Sequence, residues 1–281
     1  MKITLGQNTY GKNSVNLTRI IRHKEYNELK QISVNVSLQG EFELAHTTGD
    51  NTRILPTDTM KNTVYALAKE RFISSIEEFG IELAKHFLSN NSQVSAVSIE
   101  ITEHLWSRLS FDGKLHQYAY ISNGFEKRTA LIIHSKTHTS VTSGIKDLLI
   151  LKTYNSAFEK YIVDQFTTLK ETDDRIMSTQ CEVSWIYNSN KIEYTTLYNK
   201  IRNSLLKTFA DHKSLSVQHT LYAMGERVLQ ENAEVQNINF KMPNKHHILF
   251  NLEQFGIENN NEIFIATDEP YGYITGTVSR Q

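Results

Sequence analysis

The feature that most constrains the fold is an arrangement of segments that occurs twice along the chain. Each half begins with segments in which apolar and polar residues alternate, continues with two segments of helical periodicity, and then returns to alternation. The helical stretches cover residues 62–89 and 197–231, and the strands after them cover 94–103 and 235–242. A strand pair, a helix pair and a second strand pair in each half predict an internal structural duplication.

Individual apolar residues carry this prediction. The alternating positions on strands are Ile32, Val34, Val36 and Leu38; Val97, Ile99 and Ile101; Val183, Trp185 and Tyr187; Ile238, Phe240 and Met242; and Ile248, Phe250 and Leu252. The positions on apolar helix faces are Ile76, Leu83, Phe87 and Leu88; Ile201, Leu205 and Phe209; and Val217, Leu221, Met224 and Val228, with Ser216 as the N-cap of the last helix. We therefore predict an α+β architecture of antiparallel sheets with helices on one face, in two halves of residues 1–142 and 143–281.

Half-sheets of this kind have exposed edge strands. Proteins pair or cover such edges, because an open edge is a template for aggregation. A homo-oligomer that closes the sheets into a barrel would satisfy the edges. The periodicity alone does not establish that assembly.

The composition argues against several classes of protein. Lys and Arg total 30 and Asp and Glu total 31, so there is no basic excess of the kind that a general nucleic-acid binder shows. The one cysteine, Cys181, cannot form an intrachain disulfide or a multi-cysteine metal site, and it favours a reducing compartment. The chain shows no signal peptide and no apolar stretch of membrane-spanning length, and it ends in Ser279-Arg280-Gln281 rather than the peroxisomal Ser-Lys-Leu. We expect a cytoplasmic protein without a membrane or nucleic-acid partner.

Familiar cofactor and metal motifs are not found in the sequence. There is no glycine-rich dinucleotide or P-loop fingerprint and no serine-hydrolase elbow. His134 and His138 have a spacing that suits metal ligands on a helix, but they lie in a predicted strand region and have no evident third ligand. Cys181 falls inside an alternating strand, which indicates a core thiol rather than a nucleophile. We expect neither a metal nor an organic cofactor.

Polar segments at element boundaries remain as candidates for chemistry. Each has an ordinary structural interpretation: a helix cap for Thr57-Asp58, core for Phe158, a solvated first helical turn for Gln218, and a turn for Pro243–His246. The segments are Tyr10-Gly11-Lys12; Thr57-Asp58-Thr59-Met60-Lys61-Asn62-Thr63-Val64-Tyr65; Asn155-Ser156-Ala157-Phe158; Phe166-Thr167-Thr168-Leu169-Lys170-Glu171-Thr172 with Asp174-Arg175; Ser216-Val217-Gln218; and Pro243-Asn244-Lys245-His246.

Together, in this order, these segments resemble the urate oxidase (uricase) family over nearly the whole chain. The resemblance implies cofactor-independent oxidation of urate by dioxygen to 5-hydroxyisourate and hydrogen peroxide. It also implies tandem tunnelling-fold (T-fold) domains, in which two chains close one antiparallel barrel and two barrels stack into a homotetramer. The family's active site lies between chains, so Lys12, Thr57 and Asp58 should come from one subunit and the other site residues from its neighbour.

The resemblance also assigns residues to urate binding. Arg175 offers donors in a planar fork, and Gln218 offers an acceptor beside donors, so the pair suits the polar edge of the purine. Phe158 would stack on the ring, and the backbone N–H of Val217 would add a donor. Asp58 would position the loop of Thr57 and contact urate through its backbone.

The resemblance assigns proton transfer and dioxygen binding to the remaining site residues. Lys12 and Thr57 form the expected proton-transfer pair, and His246 completes the relay because imidazole accepts and donates protons near neutral pH. Thr57 also contacts the substrate. Asn244 would hold dioxygen, and later water, above the purine plane.

The sequence departs from the family pattern at one position, and two alternative functions remain open. Pro56 stands where the family commonly has a small or β-branched residue, and it removes a backbone donor and restricts Leu55. One alternative is a purine-binding protein without turnover, which would bind urate without oxygen uptake. The other is a zinc-dependent T-fold enzyme acting on purines or pterins, which a chelator would inactivate.

Overall fold

The computed structural model describes residues 3–71, 74–189 and 191–281. The chain divides into two compact units, Met1–Gly144 and Ile145–Gln281. The sequence places the boundary after residue 142, within two residues of this division. None of the helices in the described ranges is long and apolar enough to cross a membrane.

The first unit has an antiparallel sheet in the order β1-β2-β3-β4. Its elements are β1 (Tyr10–Arg22), β2 (Asn27–Gly40), α1 (Glu43–Thr47), α2 (Thr57–Glu70), α3 (Ile76–Ser89), β3 (Val94–Phe111) and β4 (Lys114–Ser135). Alternate residues of β2 are fully buried from Ile32 to Leu38, where they form one core with the apolar faces of α2 and α3. The helices therefore cover one face of the sheet.

Polar contacts set the start of α3 and its packing. The Ser75 hydroxyl caps the helix by accepting the Glu78 N–H at 3.1 Å, and it lies 2.8 Å from the Glu78 carboxylate, to which it can donate. Glu77 is fully buried but accepts from the Arg128 guanidinium at 2.6 Å and from the Ser143 hydroxyl at 2.5 Å. Since a buried carboxylate is tolerated only when it is paired and hydrogen-bonded, these contacts fix α3 against β4.

The second unit repeats the plan, with strands in the order β5-β6-β7-β10. Its elements are β5 (Thr139–Lys152, which begins before the unit boundary), β6 (Met177–Tyr187), α4 (Tyr194–Asp211), α5 (Val217–Glu231), β7 (Val235–Lys245), β8 (His247–Leu249), a 3-10 helix (Glu253–Phe255), β9 (Phe264–Ala266) and β10 (Gly272–Ser279). The apolar faces of α4 and α5 pack with β6 and β7 around the fully buried Trp185. The predicted antiparallel α+β architecture, with paired helices on one face of each sheet, is confirmed.

The strand predicted across Ile248, Phe250 and Leu252 is wrong in its second half. Strand β8 ends at Leu249 and pairs only with β9. The Asn251 side chain accepts the Glu253 N–H at 2.9 Å, and this local bond turns the chain into the 3-10 helix. Alternation of apolar and polar residues over only five positions is too short to predict a strand where a side chain can turn the backbone in this way.

Candidate active site

In the first unit, the N-terminus of α2 lies beside the start of β1. The Tyr10 hydroxyl accepts the Leu55 N–H at 2.9 Å and lies 3.2 Å from the Leu55 carbonyl oxygen, so one side chain fixes the loop before Thr57. The Tyr10 ring packs edge-on against Phe42, and its burial raises the pKa of the phenol. The sequence identified the segment of Tyr10 but not this tether.

Asp58 follows Thr57 in the first turn of α2. Its carboxylate is hydrogen-bonded by Lys61 and by Asn62 at 3.0 Å. The Lys61 bond and charge lower the pKa of Asp58, and the charge of Lys12 adds to the effect. The charge of Lys12 therefore acts on the start of α2, which carries Thr57 and Asp58.

Lys12 occupies a distorted position on β1. It is in register with Val36, and a β-bulge follows it before Val15. Within the bulge Ser14 has a φ of 56° and donates its N–H to the Asn35 side chain at 2.8 Å. Bulges re-aim side chains at functional sites. Among the described residues, the half-buried Lys12 ammonium has no hydrogen-bond or ion-pair partner, which leaves its donors available to a ligand.

Gly11 allows β1 to approach β2 at this point. A Cβ at Gly11 would lie 1.8 Å from the Val36 carbonyl oxygen, so any side chain would push the two strands apart. We expect Gly11→Ala to lower the free energy of unfolding by about 1–3 kcal/mol, the usual cost of overpacking, and to lower turnover by displacing Lys12. Thermal unfolding and urate turnover measure this. Gly6→Ala is the control, because nothing lies within 4 Å of its Cβ; equal effects of the two substitutions would contradict the steric argument.

Thr57 is the first helical residue of α2, and the N-cap is Pro56, so the interpretation of Thr57-Asp58 as a cap is wrong. Pro56 has φ −56° and ψ 137°, which suit proline, and its carbonyl accepts the Met60 N–H at 3.2 Å. Leu55 keeps its N–H bonded to Tyr10, so the proline is accommodated. The Thr57 hydroxyl has no hydrogen bond within the described ranges.

In the second unit, Phe158 and Arg175 lie together. Phe158 exchanges backbone hydrogen bonds with Thr172 at 2.7 and 3.2 Å, and the Arg175 N–H donates to the Ser156 carbonyl at 2.8 Å. These bonds place the guanidinium carbon 5.0 Å from the centre of the Phe158 ring. Tyr161, which the sequence analysis did not single out, stacks nearly parallel to Phe158 at 4.9 Å. The segment thus brings two stacked aromatic rings and a cation together.

The Arg175 guanidinium retains unused hydrogen-bonding capacity. Burial lowers its pKa from the ordinary value, and its Nε is buried without a hydrogen-bond partner in the described part of the chain. A buried donor without a partner costs free energy, so a ligand acceptor at this point would be favoured. The planar fork suits a carbonyl oxygen next to a ring nitrogen.

The N-terminus of α5 adjoins the same segment. The Ser216 hydroxyl accepts the His219 N–H at 3.0 Å, which confirms Ser216 as the N-cap. Val217 is buried and Gln218 is exposed, so the glutamine amide faces outward at the start of the helix. The first N–H groups of a helix have no intrahelical partner and carry partial positive charge, which favours an anion.

Asn244 and His246 form a further pair at the end of β7. The Asn244 amide nitrogen lies 3.4 Å from the His246 Nδ1. The expected turn at Pro243–His246 is wrong, because β7 continues to Lys245 with Asn244 in register with Thr179 on β6 and Gly272 on β10. The sheet, rather than a loop, sets the position of Asn244.

Other titratable groups do not assemble into a metal or nucleophile site. Within the described ranges, no three His, Cys, Asp or Glu side chains are placed to hold a metal ion. The His134 ring contacts the Thr139 hydroxyl at 2.7 Å, and burial, with the charge of Lys85, lowers its pKa. Cys181 is fully buried in β6, and burial raises the pKa of its thiol to about 12, so it lies in the core as predicted.

Comparison with known proteins decides the family. The uricase family model matches residues 8–133 and 141–275. The chain belongs to the uricase family. All nine predicted site residues fall inside the two matched ranges, with Lys12, Thr57 and Asp58 in the first.

Curated uricases from distant organisms match over the full chain. The uricase of Arthrobacter globiformis is 39% identical over 280 residues, which cover 100% of this chain and 91% of that protein. The uricase of Cyberlindnera jadinii is 36% identical and covers 100% of this chain and 98% of its own length. The uricase of Dictyostelium discoideum is 37% identical, with 99% and 98% covered.

Solved uricase structures share the fold. The crystal structure of uricase from Arthrobacter globiformis superposes with a TM-score of 0.95 at 39% identity and covers 100% of this chain and 96% of that chain. The urate oxidase of Bacillus sp. TB-90 superposes with a TM-score of 0.86 at 22% identity, covering 97% and 100%. The predicted tunnelling-fold class is confirmed by these matches.

Proposed function

We propose that this chain oxidises urate with dioxygen and water to 5-hydroxyisourate and hydrogen peroxide. Urate loses two electrons and dioxygen gains two, so no other oxidant is required. Membership of the uricase family, shown by the match over residues 8–133 and 141–275, carries the proposal. The reaction class is that of an oxidoreductase acting on urate with oxygen as acceptor.

Urate binding is assigned to the second unit. The purine stacks on Phe158, while Arg175 and Gln218 hold opposite ends of its polar edge and the Val217 N–H donates to it. The support is the guanidinium 5.0 Å from the Phe158 ring and the helix N-terminus beside the same segment. Fixed donors of this kind favour the anionic form of the substrate.

Proton and oxygen handling are assigned to Lys12, Thr57, His246 and Asn244. Lys12 and Thr57 remove a proton from bound urate with His246 as relay, and the electron-rich dianion passes one electron to dioxygen held by Asn244. Recombination of the two radicals and protonation give a 5-hydroperoxide. Peroxide leaves, and water adds at the same carbon. The β-bulge that follows Lys12 and the contact between Asn244 and His246 at 3.4 Å support these roles.

We further propose a cytoplasmic homotetramer in which each site is built by two chains. Lys12, Thr57 and Asp58 come from one chain, and Phe158, Arg175, Val217, Gln218, Asn244 and His246 from its neighbour, with Asp58 contacting urate through its backbone. Closure of the antiparallel sheets between copies would pair their edge strands. The buried free thiol of Cys181 is in keeping with a reducing compartment.

Oxygen uptake by the purified, metal-stripped chain tests the function. We expect urate-dependent uptake with one peroxide formed per dioxygen, unaffected by a chelator, since the chemistry assigned to the site needs no metal or organic cofactor. Tight urate binding without uptake would show a purine-binding protein instead. Activity lost on chelation and restored by zinc would show a metal-dependent T-fold enzyme.

A further inference from the structure

Lys152, the last residue of β5, is a buried lysine that the reaction as proposed does not use. Only 9% of the residue is exposed, and burial lowers the pKa of its ammonium. The Nζ donates to the His212 carbonyl at 2.7 Å and to the Ser214 hydroxyl at 2.5 Å. Within the described ranges no carboxylate lies within 4.0 Å of it. Because burying an ammonium is costly, these two hydrogen bonds and the Phe209 ring, whose centre lies 5.5 Å from the Nζ, stabilise the buried charge.

The Ser214 hydroxyl connects Lys152 to the start of α5 through further hydrogen bonds. Ser214 and Thr220 are both fully buried, and the Thr220 Oγ1 lies 2.6 Å from the Ser214 Oγ and 3.1 Å from the Ser216 carbonyl oxygen. Each hydroxyl has one hydrogen to donate. Since Ser214 accepts from Lys152, all groups are satisfied when Ser214 donates to Thr220 and Thr220 donates to Ser216. The chain of bonds runs from the ammonium to the N-cap of α5.

The same serine fixes the segment that carries Phe158. The Ala157 N–H donates to the Ser214 carbonyl at 2.7 Å, and the Ser214 N–H donates to the Asn155 carbonyl at 3.0 Å. The Arg175 N–H in turn donates to the Ser156 carbonyl at 2.8 Å. Ser214 is thus the point at which the aromatic segment, the arginine and the α5 N-terminus are joined.

We infer that Lys152 is a positioning residue for urate binding, which acts through Ser214 to hold Phe158 and the Val217-Gln218 helix start at a fixed spacing. This inference rests on the proposed assignment of those residues to urate. Lys152 does not itself touch the substrate. Without it the Ser214 hydroxyl loses its donor, and the two backbone bonds of Ser214 that remain hold the Phe158 segment and the start of α5 less rigidly. The residues assigned to urate binding then lose their alignment, while Lys12 and Thr57 are untouched.

This role predicts a particular kinetic pattern. Misplaced binding groups weaken the interactions with bound urate and with the transition state equally, so KM rises while kcat changes little. General destabilisation does the reverse, because fewer active molecules lower the apparent kcat and leave KM unchanged. The separation of KM from kcat therefore distinguishes positioning from mere stability.

The test compares Lys152→Met and Thr220→Val with matched controls. Met matches the four-atom stem of lysine without the ammonium, and Val keeps the shape of Thr without its hydroxyl. Thr220→Ser restores the hydroxyl, and Lys207→Met removes an exposed lysine from α4. KM and kcat come from oxygen uptake. The urate Kd comes from titration under anaerobic conditions, where turnover cannot occur.

We expect Lys152→Met to raise KM and Kd by about tenfold or more, the scale of leaving a buried hydrogen-bonding group without its partner. Thr220→Val should shift both in the same direction, and Thr220→Ser and Lys207→Met should leave them unchanged. A normal KM and Kd in folded Lys152→Met, or a loss of kcat alone, would overturn the inference. If Lys152→Met does not fold, the Val and Ser variants at Thr220 decide it.

Arg175→Gln serves as a reference in the same assays. If it raises KM while Lys152→Met and Thr220→Val do not, the urate site stands and the inference about Lys152 fails alone. If Arg175→Gln also leaves KM unchanged, the assignment of urate to this segment has failed, and the inference falls with it.

Discussion

Lys12→Met lowers kcat for urate oxidation by about a hundredfold or more, the scale of losing general acid–base catalysis, and changes KM much less. The lysine lies beside Asp58 and the start of α2, and among the described residues its ammonium has no partner. Its removal therefore takes away the group proposed for proton transfer without breaking a hydrogen bond or ion pair of the described residues. Initial rates of oxygen uptake over a range of urate concentrations measure both constants.

Three further variants separate the effect on proton transfer from the loss of a charge. Lys69→Met removes an exposed lysine from the last turn of the same α2 helix and should leave kcat unchanged. Thr57→Ala should lower kcat as strongly as Lys12→Met, while Thr57→Ser, which keeps the hydroxyl, should recover most of it. Near-normal turnover in both Lys12→Met and Thr57→Ala would remove the proposed relay.

The second large effect is expected from Arg175→Ala, which raises the urate KM by about a hundredfold, the scale of losing charge-assisted hydrogen bonds. The guanidinium is partly buried against Phe158, and its Nε has no partner among the described residues, as expected of a group proposed to bind a ligand. Arg175→Lys keeps the charge but not the planar fork, and it should recover only part of the affinity.

Arg227→Ala is the matched control for Arg175→Ala. Arg227 lies exposed on α5 in an ion pair with Glu231 at 2.5 Å, so its loss removes an arginine from the same unit without touching the site. An unchanged urate KM in Arg175→Ala would show that the purine is held elsewhere.

Lys12→Met and Arg175→Ala together also test whether each site is built by two chains. If Lys12 and Arg175 of one site belong to different chains, co-assembled Lys12→Met and Arg175→Ala chains contain some sites in which both residues are intact. Random pairing of equal amounts would restore about a quarter of the activity, because half of the pairs are mixed and half of their sites are complete. Mixed assemblies that stay inactive would place both residues of each site in one chain.

The parts of the fold that the sequence predicted are those with strong local patterns. Ile32, Val34, Val36 and Leu38 alternate in the sequence, and all four are buried in β2. Ser216 precedes an apolar helical repeat, and it caps α5. The strand proposed at 248–252 failed because the Asn251 side chain turns the backbone, and Thr57-Asp58 failed as a cap because Pro56 already supplies the extended residue.

From the sequence we could propose which residues form the candidate site, but not the contacts that hold them in place. The order of the polar segments, compared with the family, selected the nine residues. Their supports were not visible, because Tyr10 tethers Leu55 across 45 residues and Lys152 contacts Ser214 across 62 residues. Hydrogen bonds between positions so far apart produce no periodic pattern that a single sequence could reveal. Tyr161 was missed for a different reason, since an isolated aromatic in a polar loop resembles any exposed tyrosine.

The continuation of β7 through Pro243 to Lys245 has a consequence for variation in chain length. Side chains on a strand alternate between the faces of a sheet, so one residue inserted between Val235 and Asn244 would turn the Asn244 amide to the opposite face. The stretch from 250 to 263 lies outside the main sheet and can lengthen or shorten without that penalty. The sheet therefore determines the face on which the Asn244 side chain lies. Insertions and deletions after the Asn244–His246 pair leave that face unchanged, whereas a single-residue insertion before the pair reverses it.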